Sequence, residues 1–314
     1  MKSNSIKGFI ILLITAIVWG FAFVAQDYAA THIGTFTLNS LRCIIGAIVL
    51  FPVIVFNRIK NKKPIFEKDP VSRKHLIVAG LLCGGFLCIA INLQQFGISL
   101  YPSDAATSGR SGFITALYVV LVPIIGIFLK KKLGLNTIIS VLLATIGMYL
   151  LCLSNGLKHI YVGDLVVLIS AFGFALQILC IDKYSSLVDG IKLSAFQFLV
   201  CSILSTILMF IFEKPTWHDI SQAILPILYL GVVSSGIGYT LQIIGQQYSK
   251  NPTMDSIIMS LESVFAVISG AIILKEHLLT NEIIGCIVMF IAIVFAQLPT
   301  NLFKLNKESK TTQK

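Results

Sequence analysis

The sequence predicts an all-α polytopic membrane protein with ten transmembrane helices. Ten apolar stretches, separated by short polar breaks, fill nearly the whole chain. Most are about 20 residues long, the length that an α-helix needs to cross ~30 Å of hydrocarbon. Charged residues make up only 12% of the chain, against roughly 25% in a soluble domain. Hydrophobicity is continuous within each stretch rather than alternating, which excludes a transmembrane β-barrel.

The ten stretches are each consistent with one span. In order, they begin near Lys7, Phe36, His75, Ala105, Gly134, Tyr161, Gly190, Gln222, Thr253 and Thr280. The first is too long for a signal-peptide core and has no small-residue cleavage site, so we expect a retained first span. Pro123 in the fourth stretch and Pro226 in the eighth are expected to kink or loosen their helices.

The basic residues predict the orientation of the chain. The net charge is +10. With a cytoplasmic N-terminus and alternating spans, nineteen of the 24 Lys and Arg residues lie on the cytoplasmic side and three on the other, while Arg42 and Arg110 lie within spans. This positive-inside bias predicts a protein of the cytoplasmic membrane with both termini in the cytoplasm. The basic excess is then a topology signal with some attraction to lipid headgroups, and we expect no nucleic-acid partner.

Nothing in the sequence indicates a metal or a cofactor. All seven cysteines lie in apolar stretches, and none has a histidine at metal-ligand spacing, so we interpret them as small buried side chains. They are Cys43, Cys83, Cys88, Cys152, Cys180, Cys201 and Cys286. A phosphate-binding loop is also absent from the sequence, so ATP-driven transport would need another chain.

The chain contains an internal duplication. Segment 8–28 is similar to 163–184, segment 92–106 to 242–256, and segment 127–136 to 272–281. We therefore divide the chain into a first five-helix repeat, 1–153, and a second, 154–314, which ends in a short basic cytoplasmic tail. Because five is odd, the second repeat must enter the membrane from the opposite side. Inverted repeats are typical of secondary transporters, whose site lies near the midplane between the halves.

The duplicated chain resembles a known family. The 5+5 duplication, the sequence WGFAFVAQ in the first span, and Pro102 and Pro252 at the starts of the fourth and ninth spans resemble EamA-type transporters of the drug/metabolite transporter superfamily. The resemblance covers about residues 7–298. It implies export or exchange of small metabolites such as amino acids.

Four spans carry polar or aromatic side chains on one helical face. The residues are Trp19, Phe23 and Gln26 in the first span, Asn92, Gln95 and Ser99 in the third, Ser170, Phe174 and Gln177 in the sixth, and Tyr239, Gln242 and Gln246 in the eighth. Their spacing places each set on one side of its helix. We predict that these four faces line one substrate cavity. The alternative is hydrogen bonding between helices, which uses the same residue types.

Three charged residues within spans are candidates for function. Glu262 lies ~14 Å into the ninth span at 1.5 Å per residue, where a lone charge costs at least ~2.5–3.5 kcal/mol. It could bind a substrate amine or a coupling proton, or form a structural pair. Arg110, with Tyr118 near the same face, could bind a carboxylate, or it could extend to the lipid headgroups. Arg42 has no polar residues on the same helical face. We therefore expect it to pack against other helices or to extend to the lipid headgroups.

Three classes of function fit an all-helical membrane protein: a transporter, an intramembrane enzyme and a regulatory membrane protein. An intramembrane enzyme would need a catalytic cluster at one depth, and a regulatory membrane protein would need mass outside the bilayer. The sequence favours neither of them over a transporter. We therefore predict a carrier, not an enzyme, that moves small polar metabolites by alternating access, as an exporter or exchanger. The substrate, the direction of flow, the coupling ion and the oligomeric state stay open.

Overall fold

The computed structural model describes residues 2–61, 69–102, 107–130, 134–152, 161–273 and 280–296, and every regular element in these ranges is helical. The helices are α1 Lys2–Ala30, α2 Thr35–Asn61, α3 Pro70–Ser99, α4 Thr107–Ala116, α5 Tyr118–Phe128, α6 Leu135–Cys152, α7 Val162–Tyr184, α8 Gly190–Phe212, α9 Trp217–Gln222, α10 Ile224–Leu228, α11 Thr240–Ser249, α12 Pro252–Met259, α13 Glu262–Ile273 and α14 Thr280–Ala296. A π-helical segment, Tyr229–Tyr239, joins α10 to α11. Several lysines counted for the orientation of the chain lie outside the described residues, namely Lys62, Lys63, Lys68, Lys131, Lys132, Lys158, Lys275, Lys304, Lys307, Lys310 and Lys314.

Eight helical segments of the described chain are long and apolar enough to cross a membrane. They are Ser5–Ala30, Thr35–Asn57, Pro70–Ser99, Thr107–Phe128, Val162–Tyr184, Gly190–Phe212, Ile224–Ser249 and Pro252–Ile273. The predicted fifth and tenth spans correspond to α6 and α14, whose apolar parts, 137–147 and 283–292, are shorter. The structure therefore shows a polytopic all-α protein, with eight of the ten predicted spans at full length.

Large apolar side chains cover the outside of the bundle. Phe128, Phe210 and Leu225 are 81%, 74% and 76% exposed. A soluble protein rarely presents a contiguous surface of such residues to water. Lipid tails are the solvent that suits this surface.

Local signals explain where several helices begin. Asp69 caps α3, since its Oδ2 accepts a hydrogen bond from the backbone N of Ser72 at 2.8 Å, and Pro70 follows at the first helical position. The hydrogen bonds from Ser72 hold the pKa of Asp69 below its usual value. Asn251 caps α12 in the same way, since its Oδ1 accepts a hydrogen bond from the backbone N of Met254 at 3.2 Å, and Pro252 follows at the first helical position. These pairs combine a side-chain cap with a residue that needs no N–H partner.

The helices pack in pairs that are related by exchange of the two predicted halves. The main pairs are α1 with α11, α3 with α7, α1 with α13, α7 with α4 and α5, α2 with α8, and α6 with α14, together with α3–α8 and its counterpart, α2 with the π-helical segment. Exchange of the halves turns the α1–α11 pair into the α3–α7 pair. It also turns the α1–α13 pair into the contact of α7 with α4 and α5. It maps α2–α8 and α6–α14 onto themselves. The inverted orientation of the halves stays a prediction that this pairing supports.

Small residues allow α3 and α7 to approach closely. Side chains and backbone meet at three levels, Cys83 with Cys180, Ala90 with Gly173, and Gly97 with Gly163. The levels lie about two to three helical turns apart, and the residue numbers run in opposite directions, so the helices are antiparallel. A Cβ added to Gly163 would lie 2.6 Å from the backbone O of Gly97. Such contacts between small residues are a usual way for membrane helices to associate.

The fourth and ninth spans are both interrupted. The fourth breaks at Leu117 between α4 and α5, and the ninth breaks at Ser260 and Leu261 between α12 and α13. At each break the chain tightens, with the backbone N of Leu117 3.2 Å from the O of Ile114. The sequence predicted a disturbance at Pro123, but the break precedes it and Pro123 lies within α5.

Candidate functional site

A small cavity lies where eight helical elements meet near the middle of the bundle. Its volume is about 30 Å³, which is room for one or two water molecules. Its walls come from both predicted halves. The lining residues are Trp19, Ala22, Phe23, Gln26, Arg42, Gln94, Thr115, Tyr118, Phe174, Ser234, Tyr239 and Glu262.

Both interrupted spans contribute the residue at their break to this cavity. Tyr118 is the first residue of α5, and Glu262 is the first residue of α13. Discontinuous helices at the midplane are a common way for transporters to build a binding site, because the broken ends expose polar groups. A carboxylate at the first turn of α13 is also favourably placed with respect to the helix dipole.

Glu262 has unused hydrogen-bonding capacity. Its side chain is 3% exposed, and in the described structure its Oε1 has no hydrogen-bond partner. The hydroxyl of Tyr118, on the same cavity, makes no hydrogen bond of standard geometry either, and the group it interacts with there is the Glu262 carboxylate itself. Buried polar atoms without partners are destabilising, by about 1–3 kcal/mol each. Similar atoms occur elsewhere in the described structure, for example on Gln95 and Gln246, but these two lie together in one cavity wall and are therefore candidates for contacts with a ligand.

Arg42 also lines the cavity, which corrects the expectation from the sequence. It is 3% exposed, so it does not extend to the headgroups. Its Nε lies 3.3 Å from the Oγ of Ser235, its Nη1 3.5 Å from the Oε1 of Gln26, and its Nη2 3.5 Å from the Oγ of Ser234. This role could not be predicted from the sequence because Ser234 and Ser235 are far from Arg42 along the chain.

Aromatic rings form another part of the cavity wall. The rings of Trp19 and Tyr239 have centroids 4.6 Å apart and are tilted by 51°. The Nε1 of Trp19 donates a long hydrogen bond, 3.4 Å, to the backbone O of Ser234 in the π-helical segment. This contact connects α1 of the first half to the segment that carries Ser234 and Tyr239.

A larger opening, the vestibule, lies at one end of the bundle beside this cavity. Its volume is about 730 Å³, within the range of small-molecule sites. Its lining includes Phe21, Tyr28, Tyr101, Tyr229 and Ile273. Helix α1 separates the two openings. Its residues Val24 and Ala25 line the vestibule, whereas Phe23 and Gln26 line the cavity. The helix ends at the vestibule are those that the predicted topology places outside the cell.

Five of the predicted substrate residues make hydrogen bonds between helices and do not line the cavity. Gln177 and Gln242 form a reciprocal amide pair, with N–O distances of 3.2 and 3.1 Å. The Nε2 of Gln95 donates to the backbone O of Gln26 at 3.1 Å, and Gln246 donates equivalently to Ile178 at 3.2 Å. In the described structure these side chains therefore form hydrogen bonds between helices, which was the alternative role considered for the polar faces.

Asn92 completes this group of five. Its Nδ2 lies 2.8 Å from the Oγ of Ser205, and its Oδ1 accepts from Asn39 at 3.2 Å. It therefore connects α3 to α2 and α8. The cavity unites the other candidates Trp19, Gln26, Tyr118, Tyr239 and Glu262, while Arg110 lies elsewhere. Substrate binding by each of these residues stays a prediction.

Arg110 is engaged in an ion pair near the vestibule. Its Nη2 lies 2.6 Å from the Oδ2 of Asp164 on α7, and its guanidinium lies over the ring of Tyr161, 4.9 Å from the centroid. The Tyr101 hydroxyl also donates to Asp164 at 2.7 Å. The sequence singled out Arg110 as a charge among small residues but gave no partner for it.

Comparisons with known proteins agree with this architecture. The family model of EamA-like transporters matches residues 6–153 and 161–297. An uncharacterized transporter of Archaeoglobus fulgidus is 27% identical over 288 residues, 91% of this chain and 84% of the relative. The uncharacterized transporter YoaV of Bacillus subtilis is 22% identical over 88% of this chain and 92% of its own length. A solved crystal structure has the same fold, with a TM-score of 0.73 at 17% identity over 97% of this chain and 99% of that chain.

Proposed function

Because this chain belongs to the EamA-like transporter family, we propose that it carries small polar metabolites, such as amino acids or related compounds, across the cytoplasmic membrane. The observation that carries the proposal is the cavity that Arg42, Tyr118 and Glu262 line between helices of both halves. A cation, a carboxylate and aromatic rings around one space suit a small solute with both polar and apolar parts. The relatives are named transporters, in keeping with a protein that is not an enzyme.

Alternating access is the mechanism that fits two similar halves. The cavity, at about 30 Å³, is too small for a metabolite, whereas the vestibule beside it is large enough. Loading would therefore require α1 and the broken spans to move apart. The exchange symmetry of the helix pairs supports two equivalent states, one open to each side. In this scheme residues 1–153 and 154–314 are the two moving units, with both termini in the cytoplasm.

Glu262 is our candidate for coupling. As a buried carboxylate at a helix break, it could exchange a proton or bind the amine of a substrate. Proton exchange at Glu262 would make the carrier an exporter or exchanger that responds to a pH gradient, whereas amine binding would give exchange without that response. The partners of this mechanism are then a lipid bilayer, a small solute and, where Glu262 exchanges a proton, that coupling proton.

The test is flux through purified protein in liposomes. A panel of amino acids is followed by counterflow, with and without a pH gradient. We expect labelled substrate to accumulate in protein-containing vesicles and not in empty ones. Absence of counterflow for the whole panel would contradict the proposed substrate class.

The inverted orientation has its own test. Single cysteines at positions 131 and 275 of a cysteine-free protein are labelled with a membrane-impermeant maleimide from each side. We expect opposite accessibility. If both positions react from the same side, the halves are not inverted and alternating access by exchange of halves is wrong.

A further inference from the structure

The two arginines within the spans have opposite surroundings. Arg110 has a carboxylate partner, Asp164, at 2.6 Å. Arg42 has no carboxylate within 4.0 Å in the described part of the chain. Its neighbours there are the neutral oxygens of Gln26, Ser234 and Ser235, at 3.3–3.5 Å.

These contacts satisfy Arg42 poorly. A guanidinium has five N–H donors, and the distances to its three acceptors exceed the 2.7–2.9 Å that is usual for charge-assisted hydrogen bonds. Its side chain is nevertheless 3% exposed. A buried charge is destabilising unless it is paired. The glutamate on the same cavity, Glu262, is not within ion-pairing distance of it.

We propose that Arg42 is the docking point for an anionic group of the transported solute, a carboxylate or a group of similar shape. The inference rests on the proposed function, since it assigns a substrate contact within the same cavity. The planar guanidinium offers two parallel N–H groups that match the two oxygens of a carboxylate. The positive charge of Arg42 is thus neutralised only when the ligand anion is bound.

The location of the weak contacts connects binding to movement. Gln26 belongs to α1 of the first half, and Ser234 and Ser235 belong to the π-helical segment of the second. A ligand anion that binds Arg42 replaces these bonds and so weakens the polar contacts of α2 with both elements. π-helical segments are frequently found at functional sites. Arg42 therefore joins substrate recognition to the contacts that hold the cavity closed.

The first experiment does not need the natural substrate. Thermal unfolding of the purified protein is followed in sodium acetate and, at equal ionic strength, in acetamide, its neutral counterpart of similar shape. We expect acetate, but not acetamide, to raise the Tm of the wild type and of Arg110→Met by a few degrees. Arg42→Met should lose this response. Equal effects of acetate and acetamide on the wild type would overturn the proposal, whatever the variants do.

The second experiment compares the empty proteins. Because Arg42 is an unpaired buried cation, Arg42→Met should leave Tm unchanged or raise it, whereas Arg110→Met should lower it. A loss in Arg42→Met as large as that in Arg110→Met would make Arg42 structural and overturn the proposal.

A transport measurement separates this inference from the proposed function. Counterflow of leucine is compared with that of leucinamide, which lacks the carboxylate. We expect Arg42→Met to reduce leucine flux at least tenfold and to leave any leucinamide flux within twofold. Equal loss of both would overturn the anionic contact. If the wild type shows the acetate response but moves no solute of the panel, the anion site stands and the proposed transport of amino acids fails.

Discussion

Arg110 and Asp164 form a two-point ion pair that joins α4 of the first half to α7 of the second. The Nε of Arg110 lies 2.6 Å from Oδ1 and its Nη2 lies 2.6 Å from Oδ2. Asp164 also accepts a bond from the backbone N of Tyr161 at 2.8 Å, which caps α7. Burial and the hydrogen bond to Asp164 raise the pKa of Tyr101, so its phenol remains a donor. One carboxylate thus fixes three segments at the vestibule.

This pair predicts non-additive effects on stability. Arg110→Gln and Asp164→Asn should each reduce the free energy of unfolding by about 1.5–3 kcal/mol, because each leaves a charged partner with a lost hydrogen bond. The double variant should be more stable than the sum of the single losses suggests. Thermal unfolding in detergent measures all three. Strict additivity would show that the two side chains do not stabilise the fold as a pair.

Two tyrosines allow a hydroxyl that bonds to the protein to be compared with one that is predicted to contact the substrate. The hydroxyl of Tyr229 donates to the backbone O of Val18 at 2.8 Å, so Tyr229→Phe should lose about 1 kcal/mol of stability. The Tyr118 hydroxyl makes no hydrogen bond of standard geometry in the described structure, and it interacts with the Glu262 carboxylate in the same cavity wall. Tyr118→Phe should therefore keep full stability and reduce flux. Full flux in Tyr118→Phe would remove this hydroxyl from the substrate site.

The contact between α3 and α7 predicts a marked difference between two glycines. Gly163→Ala places a methyl group 2.6 Å from the backbone O of Gly97, so it should separate the helices and reduce stability by about 1–3 kcal/mol. Gly85 has no atom within 4 Å of the added Cβ, and Gly85→Ala should gain about 0.5–1 kcal/mol from helix propensity. Unfolding temperatures of the two variants provide the check. Similar values for both would contradict the close approach of the helices.

Glu262 predicts a change in the pH dependence of transport. A protonatable carboxylate lets net flux respond to a pH gradient, whereas the amide of Glu262→Gln cannot release a proton. We expect the variant to lose the stimulation by a pH gradient and to retain exchange of substrate at equal pH. Flux in liposomes from pH 5 to pH 9 measures both. A pH profile identical to that of the wild type would exclude Glu262 as the coupling group.

The sequence by itself determined the helical segments and the family. Hydropathy is a local property, because each span must bury its own backbone hydrogen bonds and cover them with apolar side chains. The predicted starts near Phe36, Gly190 and Thr280 therefore lie within a residue of the observed helices. The positions of Glu262 and Tyr118 as unusual residues within spans were visible for the same reason.

Only the tertiary structure decided what the polar residues face. Arg42 and Arg110 look alike in sequence, yet one lines the cavity and the other pairs with Asp164. Likewise Gln26 lines the cavity whereas Gln242 bonds to Gln177. The reason is physical: the role of a buried polar group depends on the groups opposite it, and those belong to helices that are distant in the chain and are brought together by packing.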